Sequence, residues 1–185
     1  QGALDDREEA ERFLKIMSKQ VERLNAIIED LLSLSRLEQG SEKSVLAKEK
    51  TTVLQILESA IRDCERKALE KNTSIQLNCS NELEVIANSP LLNQAVLNLV
   101  DNALKYSEPD GKIEVKALAT ETAIVIEVQD WGCGIDSTHL ARLFERFYRV
   151  DQARSRQLGG TGLGLAIVKH IVARHPNFRG IGSRG

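Results

Sequence analysis

The stretch that most constrains this chain is residues 89–107, SPLLNQAVLNLVDNALKYS. Ser89 is expected to cap a helix there. Pro90 suits its first position, where a missing N–H costs nothing. The turn residues Glu108-Pro109-Asp110-Gly111 stop it. Val96, Leu99 and Ala103 form one apolar row, and Leu97, Val100 and Leu104 another, so most of the helix surface is core. Between the rows runs a polar strip, Asn98, Asn102, Lys105 and Tyr106, at i, i+4, i+7 and i+8. Two readings stand open. Buried amides need partners, so the strip serves to bond neighbouring loops and fix the helix. Alternatively it is a site for phosphates and a hard cation, because an amide oxygen ligates Mg²⁺ and an ammonium is a point charge for phosphate.

A chain of 185 residues has room for one domain and an appendage, and 42% apolar residues are enough for a core. A net charge of −2 gives no footprint for nucleic acid. No apolar run approaches the ~18 residues that span a bilayer, and no signal peptide is visible. Nothing in this chain is therefore expected to span a membrane. Cys64, Cys79 and Cys133 are odd in number and scattered, which reads as reduced thiols in a cytoplasmic compartment rather than as a metal site.

Residues 5–38 read as a long amphipathic helix. Leu14, Met17, Val21, Leu24, Ile28 and Leu31 alternate steps of three and four, a heptad seam that Ile27 and Leu34 widen. A helix packing on other helices is preferred to one docked on its own domain. Residues 41–52 form a polar linker with a possible first strand at 45–47. A second helix carries Val53, Leu57, Ala60, Ile61, Cys64 and Ala68. Strands are expected at 74–79, 83–87, 112–119 and 122–129, the last two paired antiparallel across a turn at Thr120-Glu121. The 122–129 run is apolar on both faces, as an inner strand is.

That strand runs into Asp130-Trp131-Gly132-Cys133-Gly134-Ile135. A DxGxG turn after a strand carries one fixed carboxylate, with glycines that let a flat ring approach the main chain. A short helix at 136–143 precedes Phe144-Glu145-Arg146-Phe147-Tyr148-Arg149, and residues 151–160 are polar. Gly159-Gly160-Thr161-Gly162-Leu163-Gly164 then opens a helix at 165–173. Glycines at a helix start expose N–H groups and the positive dipole end, which suits phosphate. The pattern is neither a P-loop nor a dinucleotide fingerprint.

Taken together, NxxxNAxKY on a helix, DxGxG after a strand, FxRFYR and GGTGLGL resemble the ATP-binding catalytic domain of two-component sensor histidine kinases. The preceding "IIEDLLSLSRLE" resembles the second helix of their dimerisation and phosphoacceptor domain. The resemblance implies an α/β two-layer sandwich: about three helices on a mixed, largely antiparallel sheet, the gyrase/histidine kinase/MutL-type ATP-binding fold, preceded by one long amphipathic helix. The implied division is a partial dimerisation domain over 1–40, a linker over 41–52 and the ATP-binding domain over 53–185.

It also implies roles. Asn102 would ligate Mg²⁺ bridging the phosphates of ATP, with Asn98 beside it near the transferring phosphate. Lys105 would contact phosphate and Tyr106 would pack against the nucleotide. Asp130 would accept the adenine amino proton, with Gly132, Gly134 and Ile135 shaping the base pocket. Gly160, Thr161, Gly162, Leu163 and Gly164 would form the end of a lid over the phosphates. Arg146 or Arg149 would reach the γ-phosphate, and Phe144 and Phe147 are candidates to anchor the lid in the core. In the gyrase and MutL-type ATPases the position resembling Asn98 is a glutamate that activates water. An amide is no general base at neutral pH, so Asn98 argues for holding ATP rather than hydrolysing it. The implied partners are the dimerisation helices of its own kinase, in a homodimer, and a response regulator receiver domain in phosphorelay signalling. The fragment would be cytoplasmic and its parent membrane-anchored. An ATPase of the same superfamily and a non-enzymatic interaction module with a degenerate pocket are the alternatives.

Two departures from the family stand out. Its phosphoacceptor lies in an HExRTP-like segment, and none of His139, His170 and His175 has that context. The fragment is therefore expected to be inactive alone. After Pro176 nothing alternates as a strand, so the family's C-terminal strands are expected to be missing or altered.

Overall fold

A computed structural model of the chain describes residues 7–39, 48–151, 155 and 159–184. The first helix, α1 (Arg7–Gln39), is followed by β1 (Glu49–Thr52), α2 (Val53–Glu70), β2 (Ser74–Asn78) and β3 (Glu84–Ala87). Then come α3 (Ser89–Tyr106), β4 (Lys112–Ala119), β5 (Ile124–Asp130), α4 (Ser137–Leu140), α5 (Gly164–Ala173) and β6 (Phe178–Arg184). The possible strand at 45–47 lies outside the described residues; the first strand observed begins at Glu49.

Alternation decides which face of the sheet is covered. Ile113, Val115 and Ala117 of β4 and Ile124, Ile126 and Val128 of β5 are buried, while Glu114 and Lys116 pair with each other at 2.7 Å on the other face. Onto the apolar face pack α2, α3 and α5, whose buried residues join the strands in one core. The result is the expected two-layer sandwich. Its main sheet has the order β2-β4-β5-β6, and β1 and β3 form a separate antiparallel pair. The main sheet is mixed: β4 and β5 are antiparallel, whereas β2–β4 and β5–β6 are parallel. Those two pairings are parallel because each is reached through an intervening helix, which returns the chain in its original direction.

Several expectations change at element ends: the short helix expected at 136–143 spans Ser137–Leu140, and the strand expected at 122–129 spans Ile124–Asp130. Asn88, not Ser89, caps α3, its side chain accepting from the Leu91 N–H at 3.0 Å. Helix α5 starts at Gly164, one residue early. Most consequentially, residues 178–184 form a strand, β6, paired with the inner strand β5. Its FRGIGSR sequence lacks apolar alternation. Pairing beside an already formed strand uses main-chain groups, which every residue but proline can offer in full.

His175 ties these ends together. Its ring is buried, Nδ1 lies 2.8 Å from the Ile171 carbonyl and Nε2 accepts the Asn88 N–H at 3.2 Å. Acceptance at Nε2 and donation from Nδ1 define a neutral imidazole. Burial lowers its pKa below the ordinary 6.5, partly countered by the Ile171 carbonyl. With the folded value depressed, the unfolded chain binds the extra proton first. Stability is therefore whole above about pH 6.5 and is lost as the pH falls through the folded value. Urea midpoints between pH 5 and 8 should show this slope, and His175→Gln should flatten it.

Helix α1 docks on its own domain near its C-terminus, where Leu34 and Leu37 are buried in the shared core. The seam Leu14, Met17, Val21, Leu24, Ile28 and Leu31 stays between 41% and 60% exposed. No described helix is long and apolar enough to cross a membrane.

Candidate nucleotide site

Two segments meet the polar edge of α3, the turn after β5 and the glycine-rich entry to α5, and the FxRFYR segment packs on the second of them. Asn98 lies at the start of α5, with its Cγ and Oδ1 3.5 Å from where a Cβ on Gly164 would stand. Its Nδ2 is buried and has no hydrogen-bond partner among the described residues. The first-turn N–H groups of α5 have no intrahelical acceptors, and Leu163 at the cap position has no side-chain oxygen to offer. Asn102, one turn along α3, is half-buried, and its side chain has no hydrogen bond among the described residues. An orphaned amide beside an uncapped helix start is costly in a closed protein interior and well suited to an anion.

The turn after β5 is fastened to the end of α3. Asp130 is buried, and its Oδ1 accepts the Gly132 N–H at 3.0 Å. Gly132 is pressed against α3 so closely that a Cβ there would fall 2.3 Å from the Tyr106 carbonyl oxygen. Gly134 has φ +67 and open space around its Cα, and Ile135 is exposed. So Tyr106, Asp130 and Gly132 are brought together, while Gly134 and Ile135 line the rim.

The glycine-rich entry to α5 is fastened to FxRFYR through backbone. Phe147 (φ +61) donates its N–H to the Gly162 carbonyl at 2.8 Å, and a Cβ on Gly162 (φ +78) would fall 2.9 Å from Phe147 backbone. Phe144 and Phe147 themselves are exposed, so the candidate anchoring role fails for their rings; the main chain makes the contact instead. Gly160 donates to the Ser155 carbonyl at 2.9 Å. Thr161 Oγ1 accepts the Leu163 N–H at 3.2 Å and donates to Asp30 Oδ2 of α1 at 2.7 Å.

Each cation that the sequence offers to phosphate already has a protein acceptor. Lys105 Nζ is 2.6 Å from Asp101 Oδ2, and Lys67 of α2 holds the other oxygen of the same carboxylate. Burial pushes the Asp101 carboxyl up, but the two ammonium groups outweigh it and hold it below the ordinary carboxylate value. Arg146 is paired with Glu38 of α1, which also lies 3.6 Å from His170 Nε2. Arg149 Nη2 donates to the Thr161 carbonyl at 2.8 Å. Burial pushes Asp30 above its ordinary value, with the Thr161 hydroxyl opposing.

Sequence reading missed four of these groups. Asp101 was legible from its i, i+4 spacing to Lys105. Asp30, Glu38 and Lys71 act across tertiary contacts that no local pattern announces. Lys71 donates from Nζ to the carbonyls of Leu104 and Ser107 at 2.5 Å and of Lys105 at 3.4 Å, closing the end of α3.

A helix-on-sheet domain with an amide pair on α3, a carboxylate turn and a glycine-rich helix entry defines the nucleotide-binding class that histidine kinases share with gyrase. The family model for the histidine kinase-, DNA gyrase B-, and HSP90-like ATPases matches residues 87–180, and that for the His Kinase A (phospho-acceptor) domain matches residues 1–40. The phosphate regulon sensor protein PhoR of Pseudomonas aeruginosa is 39% identical over 168 residues, covering 89% of this chain and 37% of PhoR. The sensor-like histidine kinase SenX3 of Mycolicibacterium smegmatis is 39% identical over 174 residues, covering 94% and 45%. Among solved structures, the mycobacterial sensor histidine kinase MprB is similar with a TM-score of 0.59 at 30% identity, over 69% of this chain and 80% of that one. Full-length ShkA in complex with AMPPNP gives a TM-score of 0.72 at 26% identity, over 89% and 34%. The chain belongs to the sensor histidine kinases of two-component systems. It spans less than half the length of these two curated relatives.

Proposed function

We propose that this chain binds Mg-ATP at the α3 edge and presents its terminal phosphoryl group to a histidine other than its own three. The observation that carries this reading is the buried Nδ2 of Asn98, without a partner among the described residues, at the uncapped start of α5. That donor set fits a phosphate oxygen. It also fits Mg²⁺ with Asn102 as its protein ligand, because Mg²⁺ takes most of its shell from water and phosphate and needs no carboxylate cage. Bound there, Mg²⁺ would supply charge neutralisation across the phosphates. The chain's own residues do the rest. Asn98 and the α5 amides orient the phosphates, Asp130 accepts from the adenine amino group, and Lys105 exchanges Asp101 for phosphate. Arg146 and Arg149 reach the outer phosphate once Glu38 and the Thr161 carbonyl release them. This is catalysis by positioning and electrostatics, which phosphoryl transfer chiefly requires.

The acceptor is external because His175 is neutral and buried in the fold. His139 meets the Tyr148 hydroxyl at 2.6 Å, and His170 faces Glu38. Asn98 supports retention of ATP over hydrolysis. The exposed seam of α1 supports pairing with further helices in a homodimer, an apolar stripe of that length being costly in water. A receiver domain of a response regulator is the proposed final acceptor. Titration calorimetry with ATP, with and without Mg²⁺, tests the site. Mg²⁺ should strengthen binding. Asn102→Ala should remove at least about tenfold, or 1.4 kcal/mol, of that gain while leaving Mg-free binding unchanged. Equal loss with and without the metal would overturn the ligand role of Asn102.

A further inference from the structure

We infer that Lys71, which lies outside every motif of the nucleotide site, is a positioning residue for the adenine end of that site. The inference rests on reading the site as an adenine-nucleotide pocket. It starts from an accounting of the carbonyls that end α3, since the last turn of a helix leaves them without intrahelical donors. The Ala103 carbonyl takes the Ser107 N–H at 2.9 Å. The Leu104, Lys105 and Ser107 carbonyls take the Lys71 ammonium, Leu104 sharing the Ser107 hydroxyl at 3.4 Å. The Tyr106 carbonyl is the one turned against Gly132. One cation thus fixes the carbonyls on both sides of the group that touches the adenine-side turn. A positive charge at a helix C-terminus is also favoured by the dipole.

The stem of Lys71 is anchored too. Its N–H donates to the Lys67 carbonyl at 3.2 Å, and its carbonyl accepts the Asp110 N–H at 3.4 Å. Asn72 bonds to the Asp110 side chain beside it. So a continuous series of contacts runs from the end of α2 to the base-reading carboxylate. It passes from Lys71 Nζ to the α3 carbonyls, from the Tyr106 carbonyl to Gly132, and from the Gly132 N–H to Asp130 Oδ1. Displacing the end of α3 therefore re-aims Asp130, and it moves Lys105 and Tyr106 with it.

The test compares affinities for ATP and inosine triphosphate, which carries an oxygen in place of the adenine amino group. Partial unfolding scales both affinities alike, so their ratio reports position and not stability. The wild-type chain should prefer ATP by at least about tenfold, because inosine leaves a buried acceptor facing an oxygen. Lys71→Met should bring the ratio within about twofold of unity, and Lys71→Arg, which still donates to several carbonyls, should restore it. Lys71→Gln, with its weaker donors, is the variant to use if Lys71→Met does not fold, and its ratio should fall between the two. Ile56→Val, a core truncation in α2, should lower the melting temperature and leave the ratio alone. An unchanged ratio in Lys71→Met or Lys71→Gln would reduce Lys71 to a cap and overturn the inference. A folded wild-type chain with no preference for ATP would instead overturn the adenine pocket on which it rests.

Discussion

Replacing Gly132 by alanine is expected to weaken adenine-nucleotide binding by on the order of hundredfold and to cost the fold about 1–3 kcal/mol, the range for overpacking a tight contact. The added Cβ would lie 2.3 Å from the Tyr106 carbonyl oxygen, 2.9 Å from its carbon and 2.8 Å from Asp130 Oδ1. Carbon and carbonyl oxygen normally approach no closer than about 3.3 Å, so something must move by roughly 1 Å. The end of α3 cannot yield easily, because Lys71 and the Asn72–Asp110 contact brace it. The turn yields instead and carries Asp130 away from its position. A displacement of that size at a binding group costs on the order of hundredfold. Gly134→Ala is the contrast. Its φ of +67 imposes only the left-handed penalty of about 1 kcal/mol, and nothing lies within 4 Å of the new atom. Urea denaturation and calorimetry on both variants separate the two glycines. Comparable losses of ATP affinity would mean that the α3 contact is not what holds the turn.

The glycines also illustrate what was legible in the sequence and what was not. Period and turn chemistry located the helices and strands between Val53 and Gln129 to within a residue or two, because each of those elements buries one face and is bounded by glycine, proline or a cap; the polar strand Glu49–Thr52 reads as linker by its sequence. The boxes were legible because their residue types are unusual for core: two amides on an apolar helix, and glycines crowded at a helix start. Strand β6 was not legible, since FRGIGSR owes its strand character to pairing with β5 and not to its own alternation. Exposure of Phe144 and Phe147 was missed for a related reason. The family resemblance made their rings candidate anchors, whereas the contact is made by the Phe147 backbone, and backbone contacts leave no mark on side-chain pattern. Nor could periodicity reveal that Arg146 and Arg149 rest on Glu38 and the Thr161 carbonyl. Ion pairs across tertiary contacts depend on which elements meet. The polar edge of α3 was thus readable as a site, but its resting electrostatics became visible only when α1 and α2 were placed beside it.

Those electrostatics give the second large effect opposite signs in two observables. Asn98→Asp should raise the melting temperature of the ligand-free chain and lower its affinity for ATP by more than about a hundredfold. The amide Nδ2 of Asn98 is buried without a partner among the described residues, which leaves the wild-type chain the desolvation cost of an unmet donor. Aspartate removes that donor and places a carboxylate beside the first turn of α5, where Gly164 lies within van der Waals contact of the side chain. A carboxylate at a helix N-terminus is favoured by about 0.3–2 kcal/mol when partly buried. The same charge then occupies the phosphate position. At roughly 5 Å and an effective dielectric constant near 20, one negative charge opposes another by about 3 kcal/mol, or more than about a hundredfold in affinity. Thermal melting and ATP calorimetry on one variant read both signs. A variant that melts lower and binds ATP unchanged would show that this helix start is not where phosphate binds. Asn98→Ala removes the unmet donor without adding charge, so it should stabilise the free chain slightly and lose less affinity than Asn98→Asp. The ordering of the three side chains therefore separates the hydrogen bond that Asn98 gives to phosphate from the charge that the helix start prefers.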